Sequence, residues 1–163
     1  MKRKTTIALS LIMVMLFTSA ISVNAAESPG MAPDITKETI YYSDGSYATI
    51  ETTVYGDEGY IQPMATAKLK TSQRTYTYYD SGDKKAWDFT VKGTFQYDGT
   101  RVVAKSSSSS YNVYISGWKC VSRSTTKSGA TVKGTARFEY RGTASKTVTI
   151  GMMCSKTGTI TAI

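Results

Sequence analysis

The 163-residue chain carries twelve carboxylates and no histidine, which limits the chemistry it can perform. Without histidine there is no Ser-His-Asp triad, no Cys-His dyad and no His-ligated zinc. Two cysteines cannot make a four-cysteine zinc or iron-sulfur site. Two acid pairs, Asp57/Glu58 and Asp80/Asp83, have residue types suited to acid and base work on a glycoside. Acids beside glycine are also the ordinary composition of solvated turns. The run Asp80-Ser81-Gly82-Asp83 offers oxygens to calcium, but falls short of the full ligand set that ion takes. Lys105-Ser106 and Ser145-Lys146 join the types of a serine-lysine nucleophile pair, yet neighbours on a strand point to opposite faces. No catalytic residue, metal or cofactor is therefore expected. A carbohydrate-active enzyme remains the third choice of function.

Binding chemistry is better represented. Lys133, Arg137 and Arg141 share parity along one apolar-polar alternation and would form a cationic row on a strand's outer face. Lys92 falls on the polar side of another alternating run, and Arg123 and Lys127 on a turn region. Such cations suit an anionic cell-wall polymer or acidic glycan. They also serve as protection for exposed strands. Tyr76 and Tyr78 share a face and could stack on sugar rings, or fill a core that lacks leucine.

The chain's opening places these groups outside the cell. Lys2, Arg3 and Lys4 precede an apolar stretch from Ile7 to Phe17, and Val23-Asn24-Ala25 fits a cleavage site before Ala26. Residues 1–25 read as a signal peptide; the competing choice is a retained membrane anchor. The product is expected to be secreted, with no stable membrane insertion and no nucleic-acid partner. In an oxidising compartment Cys120 and Cys154 have one possible pairing, a disulfide; the alternative is two free thiols.

After residue 25 the chain holds one leucine, Leu69, against 22 Thr and 12 Tyr. That composition favours strands over helices. Charge divides it. Residues 26–63 hold seven acids and one base, and residues 64–163 hold sixteen bases and five acids. Gln62-Pro63-Met64-Ala65 marks the joint, so an acidic segment, 26–65, is expected before a β-domain, 66–163. Within the acidic segment, residues 28–37 read as irregular, and the Asp44-Gly45 turn closes a hairpin over 39–54. In the β-domain, alternation is clean in Trp87–Tyr97, in Val132–Tyr140 and in Val148–Cys154. Ser106–Ser110 reads as a solvated loop or frayed edge, Tyr111–Val121 as a strand with a bulge at Gly117, and 122–130 as a turn. The sum is about seven strands at sandwich spacing: an all-β, antiparallel β-sandwich, with a partly open barrel as the alternative.

The string Tyr76-x-Tyr78-Tyr79-x-x-Gly82-x-x-Lys85-x-Trp87-x-Phe89-x-Val91-x-Gly93-x-Phe95-x-Tyr97-x-Gly99-Thr100 resembles small exported β-domain proteins of clostridial and related Gram-positive bacteria. Trp118-Lys119, the Thr147–Gly158 ending and the Asp44–Tyr47 hairpin belong to the same likeness. It implies the fold and export, and no activity. It also implies a cysteine just after the Gly-Thr turn, where this chain has Arg101-Val102-Val103. The expected function is a secreted, non-catalytic binding module whose basic sheet face meets an anionic polymer, with the acidic hairpin over or beside that face. The alternative is a basic effector released by removal of the acidic segment.

Overall fold

A computed structural model describes residues 32–56 and 67–163. The signal peptide expected over residues 1–25 and the joint expected at Pro63–Ala65 lie outside the described residues. Nine strands form two antiparallel sheets, and no helix occurs among the described residues. Sheet one runs in the order β1 (Asp34–Tyr41), β2 (Tyr47–Val54), β3 (Lys68–Tyr79), β4 (Lys85–Tyr97), β5 (Val102–Val113). Sheet two runs β6 (Trp118–Ser128), β7 (Thr131–Tyr140), β8 (Ala144–Cys154), β9 (Ile160–Ala162). Each sheet is a meander, so every neighbour in space is a neighbour in sequence. This is a β-sandwich and not a closed barrel.

The core follows from period two. Trp87, Phe89, Val91, Phe95 and Tyr97 of β4 face Val132, Ala136 and Phe138 of β7 and Val148, Ile150 and Met152 of β8, all buried. Trp87 stacks on Phe138 with ring centroids 3.9 Å apart. Two glycines let the sheets approach. A Cβ on Gly134 would lie 2.3 Å from Val91 Cγ2, and one on Gly93 would lie 3.1 Å from Val132 Cγ2.

The seven strands expected over 66–163 are β3 to β9, and the hairpin adds two more. Its first strand starts at Asp34, inside the stretch expected to be irregular, and its turn holds Gly45 at φ +80°. The hairpin does not lie over another face. It extends sheet one through eight residue pairs between β2 and β3. Ala48, Ile50 and Thr52 are buried there. The buried Arg74 of β3 donates from Nε to Thr52 Oγ1 (3.1 Å) and from Nη1 to the Gly151 (2.9 Å) and Ile163 (3.1 Å) carbonyls. Glu38 of β1 stands 3.5 Å from its guanidinium. One buried cation thus ties the hairpin to both sheets.

Three local expectations change. Ser106–Ser110 lies in β5, paired with β4, at the sheet edge. Residues 122–128 are strand, not turn, and pair with β7. The strand expected over Tyr111–Val121 breaks at Gly117 (φ +103°), where the chain leaves one sheet for the other.

The disulfide is also corrected: no disulfide joins Cys120 and Cys154. Cys120 pairs with Phe138 of β7, whereas the Cys154 amide donates to Ala130. Ala130 and Phe138 are eight positions apart along the chain that forms β7, roughly 26 Å when extended. A disulfide needs Cα atoms within about 7 Å. Cys154 has only 1% of its surface exposed, so its thiol is part of the core.

Candidate functional site

The six cations singled out in the sequence do not converge. Lys133 and Arg137 do share the outer face of β7, with Thr135 between them. Arg137 stands 2.9 Å from Glu139, which also faces Lys119 at 3.8 Å, so part of the positive charge there is cancelled. Arg141 leaves the row: it sits in the β7–β8 turn at φ +46°, its guanidinium 5.3 Å from the Tyr140 ring. Lys92 is on the outer face of sheet one, 5.9 Å from the Tyr55 ring. Arg123 and Lys127 occupy the seam between β6 and β5. Arg123 lies 5.3 Å from the Tyr111 ring, and Lys127 Nζ donates to the Lys105 carbonyl at 2.6 Å.

Tyr76 and Tyr78 are not contact residues. They are 6% and 5% exposed and stack on Trp87 at 5.4 and 5.2 Å. Burial and the hydrogen bond with Tyr42 hold the Tyr76 hydroxyl well above the usual phenol range.

Asp57 and Glu58 lie outside the described residues, and the described carboxylates separate as well. Asp83, at φ +65°, accepts from the Tyr47 hydroxyl at 2.6 Å, which raises the Tyr47 pKa to about 12. Asp80 Oδ1 accepts from the Gly82 and Lys84 amides at 3.0 and 2.9 Å, and so shapes the turn. Asp88 is buried, receiving Tyr114 Oη (2.6 Å), Asn112 Nδ2 (2.9 Å) and Lys85 Nζ (2.8 Å). Desolvation opposes its charge, but these donors outweigh it and hold the carboxyl below its usual value. Its partners lock the chain where β5 turns toward sheet two, since the Tyr114 and Ile115 amides donate to Ala86. No group of three or more Cys, Asp or Glu residues comes together as a metal site among the described residues.

The cations that do gather are at one end of the sandwich, where β3 and β7 begin and β4 and β8 finish. A cleft of about 580 Å³ opens there, lined by Tyr97, Asp98, Arg101, Val102 and Lys156 among others. Arg101 comes from sheet one's β4–β5 turn and Lys156 from sheet two's β8–β9 turn. The Gly99 amide, which donates to the Lys156 carbonyl at 2.9 Å, joins the two turns. Lys68 pairs across from Tyr97, Lys70 Nζ lies 5.8 Å from its ring, and Lys105 and Lys127 lie at the same end. The one carboxylate among these described residues is Asp98. Its Oδ1 accepts from Thr100 N, Thr100 Oγ1 and Arg101 N at 2.8, 2.7 and 2.6 Å. Those bonds hold its pKa down and turn it into its own loop.

Sequence parity placed Lys133 and Arg137 correctly but missed this cluster, because Lys68, Arg101, Lys105 and Lys156 are far apart in the chain. The turn signals Asp98-Gly99 and Thr157-Gly158 marked its two loops. What could not be read was that both loops fall at one end. No protein-family model, curated protein or solved structure matches the chain.

Proposed function

We propose that the protein is a secreted, non-catalytic binding module that holds an anionic polymer, a cell-wall polymer or acidic glycan, at the cationic end of the sandwich. The observation that carries this is the joining of Arg101 and Lys156 at one cleft, where they outnumber the single lining carboxylate, Asp98, whose Oδ1 is taken up by its own turn. Two cations whose backbones are set by hydrogen-bonded turns present their charges from defined positions, and less ordering of the chain is then needed to meet an anion. The outer face of β7 is a lesser contributor, since Glu139 draws on Arg137 and Lys119.

The hairpin enters this reading as framework rather than as a cover. Removing residues 26–65 would strip Ala48, Ile50 and Thr52 from the core and take Glu38 and Thr52 from Arg74. A cut near Pro63, between the described β2 and β3, would leave their eight residue pairs in place. The structure therefore gives no support to a released basic effector. An enzyme is also disfavoured, because Asp80, Asp83, Asp88 and Asp98 each serve a different turn or sheet contact.

The test is affinity for poly(glycerol phosphate) and polygalacturonate at two salt concentrations. Arg101→Glu with Lys156→Glu should weaken binding about tenfold and flatten its salt dependence. Lys133→Glu with Arg137→Glu should change it far less. The opposite ranking would move the site to β7, and no salt-sensitive binding by the native protein would end the proposal.

A further inference from the structure

At the other end of the sandwich a second cleft, of about 280 Å³, is lined by Asp80, Ile115, Trp118, Tyr140 and Ala144. Trp118 is half-buried at the first position of β6. It packs edge-on against Trp87 (6.1 Å) and Tyr78 (5.6 Å) and tilts against Tyr140 at 5.5 Å. Gly117, at φ +103°, sets this placement: a Cβ there would lie 2.8 Å from the Tyr140 ring and 2.9 Å from Arg141 Nε. The tryptophan is thus held by the corner between the sheets and by rings on both.

The charges at the rim select what can enter. Arg141 already stands over Tyr140, so a cationic guest would meet a like charge and a ring partly used. Asp80 opposes an anion. Its Oδ1 is fixed by the Gly82 and Lys84 amides, which leaves Oδ2 to accept from a ligand. What suits an aromatic wall, an oriented acceptor and balanced charge is a neutral ring with an apolar face and hydroxyl donors. The geometry points to a binding site for one neutral pyranose unit at Trp118, with Asp80 accepting from its hydroxyls. The volume admits a single ring rather than an oligosaccharide. This site is separate from the cationic cleft and stands or falls without it.

The chain has two tryptophans, and Trp87 is fully buried, so a ligand-induced change in tryptophan emission reports on Trp118. The full secreted chain would be titrated with methyl glycosides of glucose, galactose, rhamnose and N-acetylglucosamine, with tetramethylammonium and acetate as charged probes. At least one neutral glycoside should give a saturable emission shift. Asp80→Asn should weaken that response about fivefold or more, and Ala144→Leu, which fills the cleft from an exposed position, should abolish it. Arg101→Glu with Lys156→Glu should leave it unchanged. The inference is overturned if no neutral glycoside saturates, if tetramethylammonium alone does, or if the response survives Ala144→Leu.

Discussion

Replacing Gly134 by alanine tests how closely the two sheets approach. The added Cβ would lie 2.3 Å from Val91 Cγ2 and 3.0 Å from Phe89 Cζ. Carbon atoms rest comfortably about 3.5–4.0 Å apart, so Val91 must retreat by about 1.2 Å or more. It has little room, since Val91 and Phe89 are fully buried and their strand is paired on both sides. Overpacking of this kind costs about 1–3 kcal/mol. Against it stands the smaller conformational freedom of alanine in the unfolded chain, worth about 0.4–1 kcal/mol. The net expectation is a loss of about 1–2 kcal/mol, seen as a melting temperature lower by about 3–8 °C. Gly93→Ala is the internal control. Its nearest neighbour would be Val132 Cγ2 at 3.1 Å, which needs only a few tenths of an ångström, so its cost should be clearly smaller. Val91→Ala alone should cost about 2 kcal/mol by removing buried methyl groups. Combined with Gly134→Ala it should cost less than the sum, because the methyl that clashed is gone. Urea unfolding of the native protein and the four variants measures all of this. A neutral Gly134→Ala, or strict additivity with Val91→Ala, would refute the close approach.

Three further outcomes follow from the packing. Asp88 has its folded pKa depressed, so its stabilisation is fully present above the unfolded value of about 3.9 and is lost as pH falls through the lower folded value. Asp88→Asn should cost about 2 kcal/mol near neutral pH and almost nothing in strong acid, read from urea midpoints across that range. The thiols should behave unequally. Burial raises the Cys120 pKa and slows its reaction with a thiol reagent, while Cys154 should react only on unfolding, and reductant should leave the melting temperature unchanged. A chain lacking residues 26–65 should fail to give a cooperative transition, whereas a chain nicked within 57–66 should keep the two pieces together on gel filtration; dissociation into a folded basic fragment would contradict the integral hairpin.

What could be read from the residues depended on whether a strand has two different faces. β4, β7 and β8 each put aromatic and branched residues on one side and polar residues on the other, so period two was plain. β6 has no such contrast. Its Arg123, Thr125 and Lys127 have inward parity, yet at the sandwich edge they meet β5 instead of the core: Thr125 Oγ1 donates to Ser109 Oγ at 2.6 Å. A seam of serine and threonine looks like a turn in one dimension because polar packing leaves no hydrophobic period. The cysteines failed for another reason. Compartment chemistry says whether thiols oxidise, but register decides whether they meet. Register here sets Cys120 against Phe138 and Cys154 beside Ala130, toward opposite ends of β7.

The two ends of the sandwich carry opposite kinds of chemistry. One gathers guanidinium and ammonium groups around a cleft of about 580 Å³, and the other sets Trp118 and Tyr140 beside Asp80. β4 spans the distance between them with thirteen residues, roughly 40 Å of strand. No small molecule reaches across that length, so short ligands must see two independent sites. An acidic polysaccharide that also carries neutral sugar units and reaches both ends, on the two proposals made above, would see one bivalent surface, with the second contact made at the effective concentration set by the first. Combining Ala144→Leu with Lys156→Glu should then be additive for monosaccharides and short anions. For a long acidic glycan the combined loss should exceed that of either change measured on short ligands. If long and short ligands lose affinity alike, the ends do not work together, and the spacing between them carries no functional meaning.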